Sequence, residues 1–263
     1  PKTCAFCQVR RDLSKEHIIP KWADYLFPAS VTSTQHTSQG YNVKIRRVRQ
    51  GPPSRLQVRT VCRICNQGWM KDLEEECRPY LEPMATSAEI EIEGEAFEKL
   101  IRWTTLKLMV SERTNLETAI FTQEQRAAFF ERREIPPSLV ISFYRCLDPF
   151  FQSSYNRDSA FVLEPSQVTR DTSGAPDVAV WVIGFANLLI CGHFANRKDV
   201  SIGLNPTQIE RMGGVLIRPR ARNARVIWPL ARTISGAQVQ SLINVFRRLG
   251  GGPPFYFPNA GRL

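Results

Sequence analysis

The apolar positions of this chain change period several times along its length, and each change marks an element. Pro20 to Phe27 reads as a short helix with proline in its first turn. Tyr41 to Gln50 and Ser54 to Val61 read as strands around Gly51-Pro52-Pro53, which predicts a β-hairpin. From Asn66 to Tyr80, the residues Trp69, Met70, Leu73 and Cys77 recur at helical spacing. Pro79 and Pro83 bracket the end of this stretch and place a domain boundary near residue 85.

Beyond that boundary the pattern alternates between the two periods. Glu95 to Glu112 predicts a helix with Phe97, Leu100, Ile101, Thr104 and Leu108 along one side. Thr122 to Arg133 predicts another, opened by the capping box Thr122-x-x-Gln125. Ser138 to Tyr144, Ala160 to Leu163, Val178 to Leu189 and Gly214 to Ile217 are apolar and rich in branched residues, as strands are. Ser235 caps a final helix through Arg248, ended by Gly250-Gly251-Gly252. The expectation is an α+β fold: a small module over 1–85 and a larger α+β domain over 86–263 that binds substrate or regulates.

With 43% hydrophobic and 23% charged residues over 263 positions, the chain is globular rather than disordered and long enough to bury a core. It has no run of 18 apolar residues, so no membrane span is expected. Pro1-Lys2-Thr3-Cys4 carries no secretory pattern. The seven cysteines are an odd number, and four of them form two C-x-x-C pairs. That is metal-binding arithmetic rather than a disulfide framework, and it points to a reducing, cytoplasmic setting.

Charge adds a partner. The net charge is +10, and it is polarised. From Tyr25 to Lys71 there is no acid, while Lys44, Arg46, Arg47, Arg49, Arg55 and Arg59 are among the bases. From Arg211 to Leu263 there is again no acid, against nine arginines. Guanidinium forks match phosphate, so the expected partner is nucleic acid, with the hairpin basics as contacts. Neither a membrane nor a specific protein partner or oligomer is readable.

The pairs Cys4-x-x-Cys7 and Cys62-x-x-Cys65 carry the strongest chemical signal. Each turn lets two thiolates reach one ion, and two turns close a tetrahedral site of the kind that holds structural zinc. Cys77, Cys146 and Cys191 read as small core residues. Trp22 and Trp69 read as core packing. His36 and His193 have no nameable partner.

Between the pairs lies Glu16-His17-Ile18-Ile19-Pro20, and directly after the second pair comes Asn66. The set C-x-x-C, Glu-His-x-x-Pro and C-x-x-C-Asn resembles the HNH endonuclease family, the ββα-metal or His-Me finger fold, over residues 4 to about 78. The resemblance implies a metal-dependent phosphodiesterase acting on nucleic acid, DNA above all. It implies His17 as general base, with Glu16 and Asn66 as ligands of a catalytic divalent ion. Gln57 stands where the family usually has a middle Asn, and Glu16 where it usually has Asp; each side chain is one methylene longer. The chemistry is consistent: a neutral imidazole suits proton abstraction near pH 7, and an oxygen-only ligand pair suits Mg²⁺ or Mn²⁺. The alternative reading is a zinc-dependent nucleic-acid-binding protein with an inactive site. A third makes the C-terminal domain a sensor with a nuclease as its output.

Overall fold

The computed structural model describes residues 2–29, 31–39, 44–160, 175–197, 200, 206–217 and 225–244. The architecture is α+β, as the sequence predicts. Its centre is a seven-stranded sheet. The strands are β4 (Ser33–Gln39), β5 (Lys44–Gln50), β8 (Val140–Arg145), β9 (Ser154–Ala160), β10 (Val178–Phe185), β11 (Leu188–Ala195) and β12 (Gly214–Ile217), in the order β12-β8-β11-β10-β9-β4-β5. All pairs are antiparallel except β4 beside β9. Smaller pairs join β1 (Lys2–Thr3) to β2 (Arg10–Arg11), β3 (Leu13–His17) to β6 (Gln57–Cys62), and β7 (Ile90–Glu93) to β13 (Arg225–Trp228).

Strands β10 and β11 at the middle of the sheet are buried along their whole length, which is why they are apolar at all but one position, His193. Along β10, Ala179, Trp181, Ile183 and Phe185 enter one core, while Val178, Val180 and Val182 enter the other. The first core lies under α3 (Gly94–Ser111) and the N-terminal segment, where Trp22, Phe27 and Trp103 each meet the Phe185 ring. The second takes in Ile209 of α5 (Pro206–Arg211) and Val239 and Ile243 of α6 (Gly236–Ile243). The predicted capping box opens α4 (Gln123–Arg132) at Thr122, and the predicted cap Ser235 opens α6, where Gln238 completes a second box.

Several expectations are corrected. Residues 44–50 do not pair with 57–62. They pair with β4 and form an edge of the large sheet, while β6 pairs with β3. Gly51, at φ +103°, leads into a short turn and not into a hairpin partner. One consequence is that the chain does not divide at residue 85: β4 and β5 complete a sheet whose other strands all lie beyond residue 139, and a single core runs from Cys4 to Trp228. The helix expected to stop at Tyr80 begins as α1 (Arg63–Cys65), passes through a π turn (Asn66–Met70) and continues as α2 (Lys71–Thr86) through both Pro79 and Pro83. Burial of Cys77, Leu81, Met84 and Ala85 outweighs the two lost backbone bonds, and Ser87 in the left-handed region ends it. The stretch 178–189 is two strands turned at Ala186 (φ 51°). Residues 161–163, the C-terminal end of the last helix after Asn244 and its glycines lie outside the described residues, as do most arginines of the second acid-free zone.

His36 and His193 are core histidines, 1% and 2% exposed. Burial pushes both pKa values down to about 4. A His depressed in the folded state is held neutral there, so its stabilisation is full above pH 6.5 and is lost as pH falls toward 4. Each is expected to cost about 2 kcal/mol at pH 5 relative to pH 7. Denaturant midpoints at the two pH values check this, and His193→Leu should flatten the slope. A midpoint independent of pH in both proteins would show that these side chains accept protons without strain.

Candidate functional site

Two neighbouring centres are built where β3, β6 and the 63–86 helix meet. In the first, Cys4 and Cys7 come from the turn between β1 and β2, Cys62 ends β6, and Cys65 lies in α1. The four sulfurs all lie within 4.8 Å of one another. Cys4 to Cys65 is 3.9 Å and Cys7 to Cys62 is 3.8 Å. A tetrahedron with metal–sulfur bonds near 2.3 Å has edges of about 3.8 Å, so the spacing fits a tetrahedral ion. The hydrogen bond from Cys65 and the backbone N–H of Cys62 draw the Cys4 thiol down to about 4 against the opposing effect of burial. The four cysteines could therefore hold a structural metal such as zinc.

This centre is anchored to the far part of the chain. Phe6, beside Cys4 and Cys7, meets Trp69 edge-on at 5.5 Å, and Trp69 packs against Phe129 and Phe130 of α4. The Arg133 guanidinium lies 4.2 Å over the Trp69 ring, and Gln123 Nε2 donates to the Ala5 carbonyl.

The second centre is a cavity of about 140 Å³ lined by Glu16, His17, Asn66, Met70, Lys71 and Glu74. Strand alternation sends Glu16 and His17 in different directions. Glu16 is buried and turned toward α3, whereas His17 is half-buried and sits opposite Gln57 in the β3–β6 register. Gln57 Nε2 lies 2.6 Å from His17 Nε2. Asn66 donates from Nδ2 to Ser14 Oγ and to the Lys15 carbonyl, which ties the first helical turn to β3 beside the β-bulge at Ser14/Lys15. The structure thus brings together Glu16, His17, Gln57 and Asn66.

Two members of the cavity's surroundings were not singled out from the sequence. Lys107 of α3 is 2% exposed, and its ammonium donates to Glu16 Oε1 at 2.8 Å, Glu74 Oε2 at 2.9 Å and the His17 carbonyl at 2.9 Å. Burial alone would lower its pKa, but the two carboxylates outweigh that and hold it above the ordinary lysine value. Lys107 is a lone cation in the apolar run Leu106 to Val110, and that contrast was its only signal. Glu74 lies eight residues after Asn66, beyond the kink at Gly68, and lines the same cavity, so no regular spacing announced it. His17 has its pKa lowered, chiefly by burial and against the pull of Glu16.

The basic candidates do not share one hairpin. Lys44, Arg46, Arg47 and Arg49 belong to β5, where Arg46 and Arg47 are exposed and Arg49 half-buried; Arg55 and Arg59 are exposed on the segment leading into and through β6. Among the described residues, no helix is long and apolar enough to cross a membrane. Comparison with known proteins finds no family model, curated protein or solved structure that matches the chain.

Proposed function

We propose that the protein is a metal-dependent endonuclease of HNH type that hydrolyses phosphodiester bonds, most readily in DNA. The observation that carries this reading is the convergence of His17, Glu16 and Asn66 on one cavity, with Gln57 on the far side of the imidazole. The order β3, β6, helix also agrees with the ββα arrangement that the resemblance implies. His17 is kept neutral by burial, so it can take a proton from water at neutral pH. An amide reads the same shape with oxygen and nitrogen exchanged. With Oε1 toward the ring, Gln57 accepts from His17 Nε2–H and fixes Nδ1 as the basic nitrogen. Glu16 and Asn66 supply carboxylate and amide oxygens, a hard donor set that fits Mg²⁺ or Mn²⁺. When bound there, such an ion offsets charge on the phosphate and the departing oxygen. The cavity has room for the ion and a few waters, each taking roughly 30 Å³. The Cys4 centre, as a zinc staple, holds Asn66 against β3.

One observation favours the second reading, a nucleic-acid-binding protein whose site is inactive: the Lys107 ammonium already holds one oxygen of Glu16. Incubating the protein with plasmid DNA separates the two. Cleavage is expected with Mg²⁺ or Mn²⁺ and none with chelator. Binding to DNA measured without cleavage should weaken steeply with salt, because each phosphate contact releases counterions, and Arg46, Arg47 and Arg49 replaced together should lower the slope. Salt-dependent binding without cutting under any divalent ion selects the inactive reading; affinity indifferent to salt rejects a phosphate-tracking surface in both.

A further inference from the structure

We propose that Glu74 is a third protein oxygen ligand for the divalent ion of this cavity, and that Lys107 is the positioning residue for the two carboxylates. The inference rests on the nuclease reading and adds a residue to it. Asn66, Met70 and Glu74 all line the cavity, on the two sides of the kink at Gly68 (φ -95°, ψ -120°). Glu74 thus lines the same space as Glu16 and His17. It is half-buried, with its side chain 22% exposed.

Charge decides what the site needs. Glu16 and Asn66 alone offer one negative charge, and Lys107, 2.8 Å from Glu16, cancels it. A dication would then meet a neutral ligand set at close range to a buried ammonium, an arrangement that repels it. Adding Glu74 restores a net negative site. The geometry leaves the oxygens for it: Lys107 takes Oε1 of Glu16 and Oε2 of Glu74, one from each carboxylate, so the second oxygen of each is the one left to an ion. The third Lys107 bond, to the His17 carbonyl, fixes the end of β3 in the same arrangement. Two carboxylate oxygens and the Asn66 Oδ1, completed by water and phosphate, make the oxygen-rich shell that Mg²⁺ and Mn²⁺ accept.

The competing role for Glu74 is a counter-ion for Lys107 and nothing more. Mn²⁺ binding to the zinc-loaded full chain, read from the loss of the free-ion electron paramagnetic resonance signal without DNA, tells them apart. Glu74→Gln keeps an oxygen for Lys107 but loses the charge. It is expected to weaken Mn²⁺ by more than about 100-fold at unchanged zinc content and unchanged helicity, beyond the roughly 10–100-fold that a group behind the ligands accounts for. Glu74→Asp, which keeps the charge on a shorter arm, should fall between. A loss in Glu74→Gln of no more than about 100-fold, alongside a larger loss in Asn66→Ala, overturns the role of Glu74 as a ligand and leaves the nuclease reading standing. A parent protein that binds no Mn²⁺ overturns both.

Discussion

His17→Ala is expected to abolish metal-dependent cleavage while leaving zinc content, thermal unfolding and DNA affinity close to those of the parent. The side chain is half-buried at the end of β3, and its one described hydrogen bond is to Gln57, so little of the core depends on it. Its contribution under the proposed mechanism is the removal of a proton from water, and loss of a general base costs roughly 10²–10⁴ in rate. The pH profile gives a readout that a structural role would not move. Burial lowers the His17 pKa, so the base is neutral over the whole range above the ordinary histidine value of about 6.5. The parent rate should therefore hold from pH 8 down past 6.5 and fall only at lower pH, as the ring takes a proton. In His17→Ala that acid limb should vanish from whatever residual rate remains. A variant that cuts as fast as the parent with the same acid limb would show that the work is done elsewhere.

Legibility tracked the kind of burial. The cluster of Cys4, Cys7, Cys62 and Cys65 was visible because paired C-x-x-C turns leave few other arrangements, and Glu16, His17 and Asn66, singled out by motif, do meet at one cavity. The capping box at Thr122 and the cap at Ser235 were equally plain. Strand β4 was invisible for a physical reason. Its buried positions are Thr34, His36 and Ser38; Thr34 pairs by hydroxyl with Ser153 just before β9 and Ser38 with Thr118 of the 116–118 turn, while His36 meets the Tyr155 ring, so the strand carries no aliphatic alternation. Without an apolar alternation there was no strand to see, and β5 was assigned the wrong partner in consequence. The helix through Pro79 and Pro83 failed in the opposite sense: local chemistry said stop, and packing of Leu81 and Met84 overrode it. Lys107 could not be placed at all, because its three partners lie 33 to 91 residues away in sequence. A site assembled across such distances is read from the fold, not from spacing.

The same long-range assembly sets the scale of the last expectation. The full chain should carry about one zinc through Cys4, Cys7, Cys62 and Cys65, and Cys62→Ser should lose most of it. Structural zinc sites of this kind contribute on the order of 10 kcal/mol in isolated modules, comparable to the whole stability of a domain. Here the loss should spread. Cys4 and Cys7 tether the N-terminal residues to the helix start, and Phe6, Trp69, Phe129 and Gln123 continue that tether to α4. Freed of the ion, four thiols 3.8 to 4.8 Å apart have no reason to stay together, and Asn66, adjacent to Cys65, loses its fixed approach to Ser14 and Lys15. Hydrogen exchange in Cys62→Ser should therefore rise over residues 2–29 and 57–70 and in α4, while the β10–β11 pair, buried along both strands, stays protected. Cleavage should disappear with His17 still present, and excess Mg²⁺ should not restore it, because the defect lies in placement rather than in occupancy. Elemental analysis showing no tightly bound zinc in the parent, or a Cys62→Ser protein with unchanged exchange in all three segments, would remove the staple from this account.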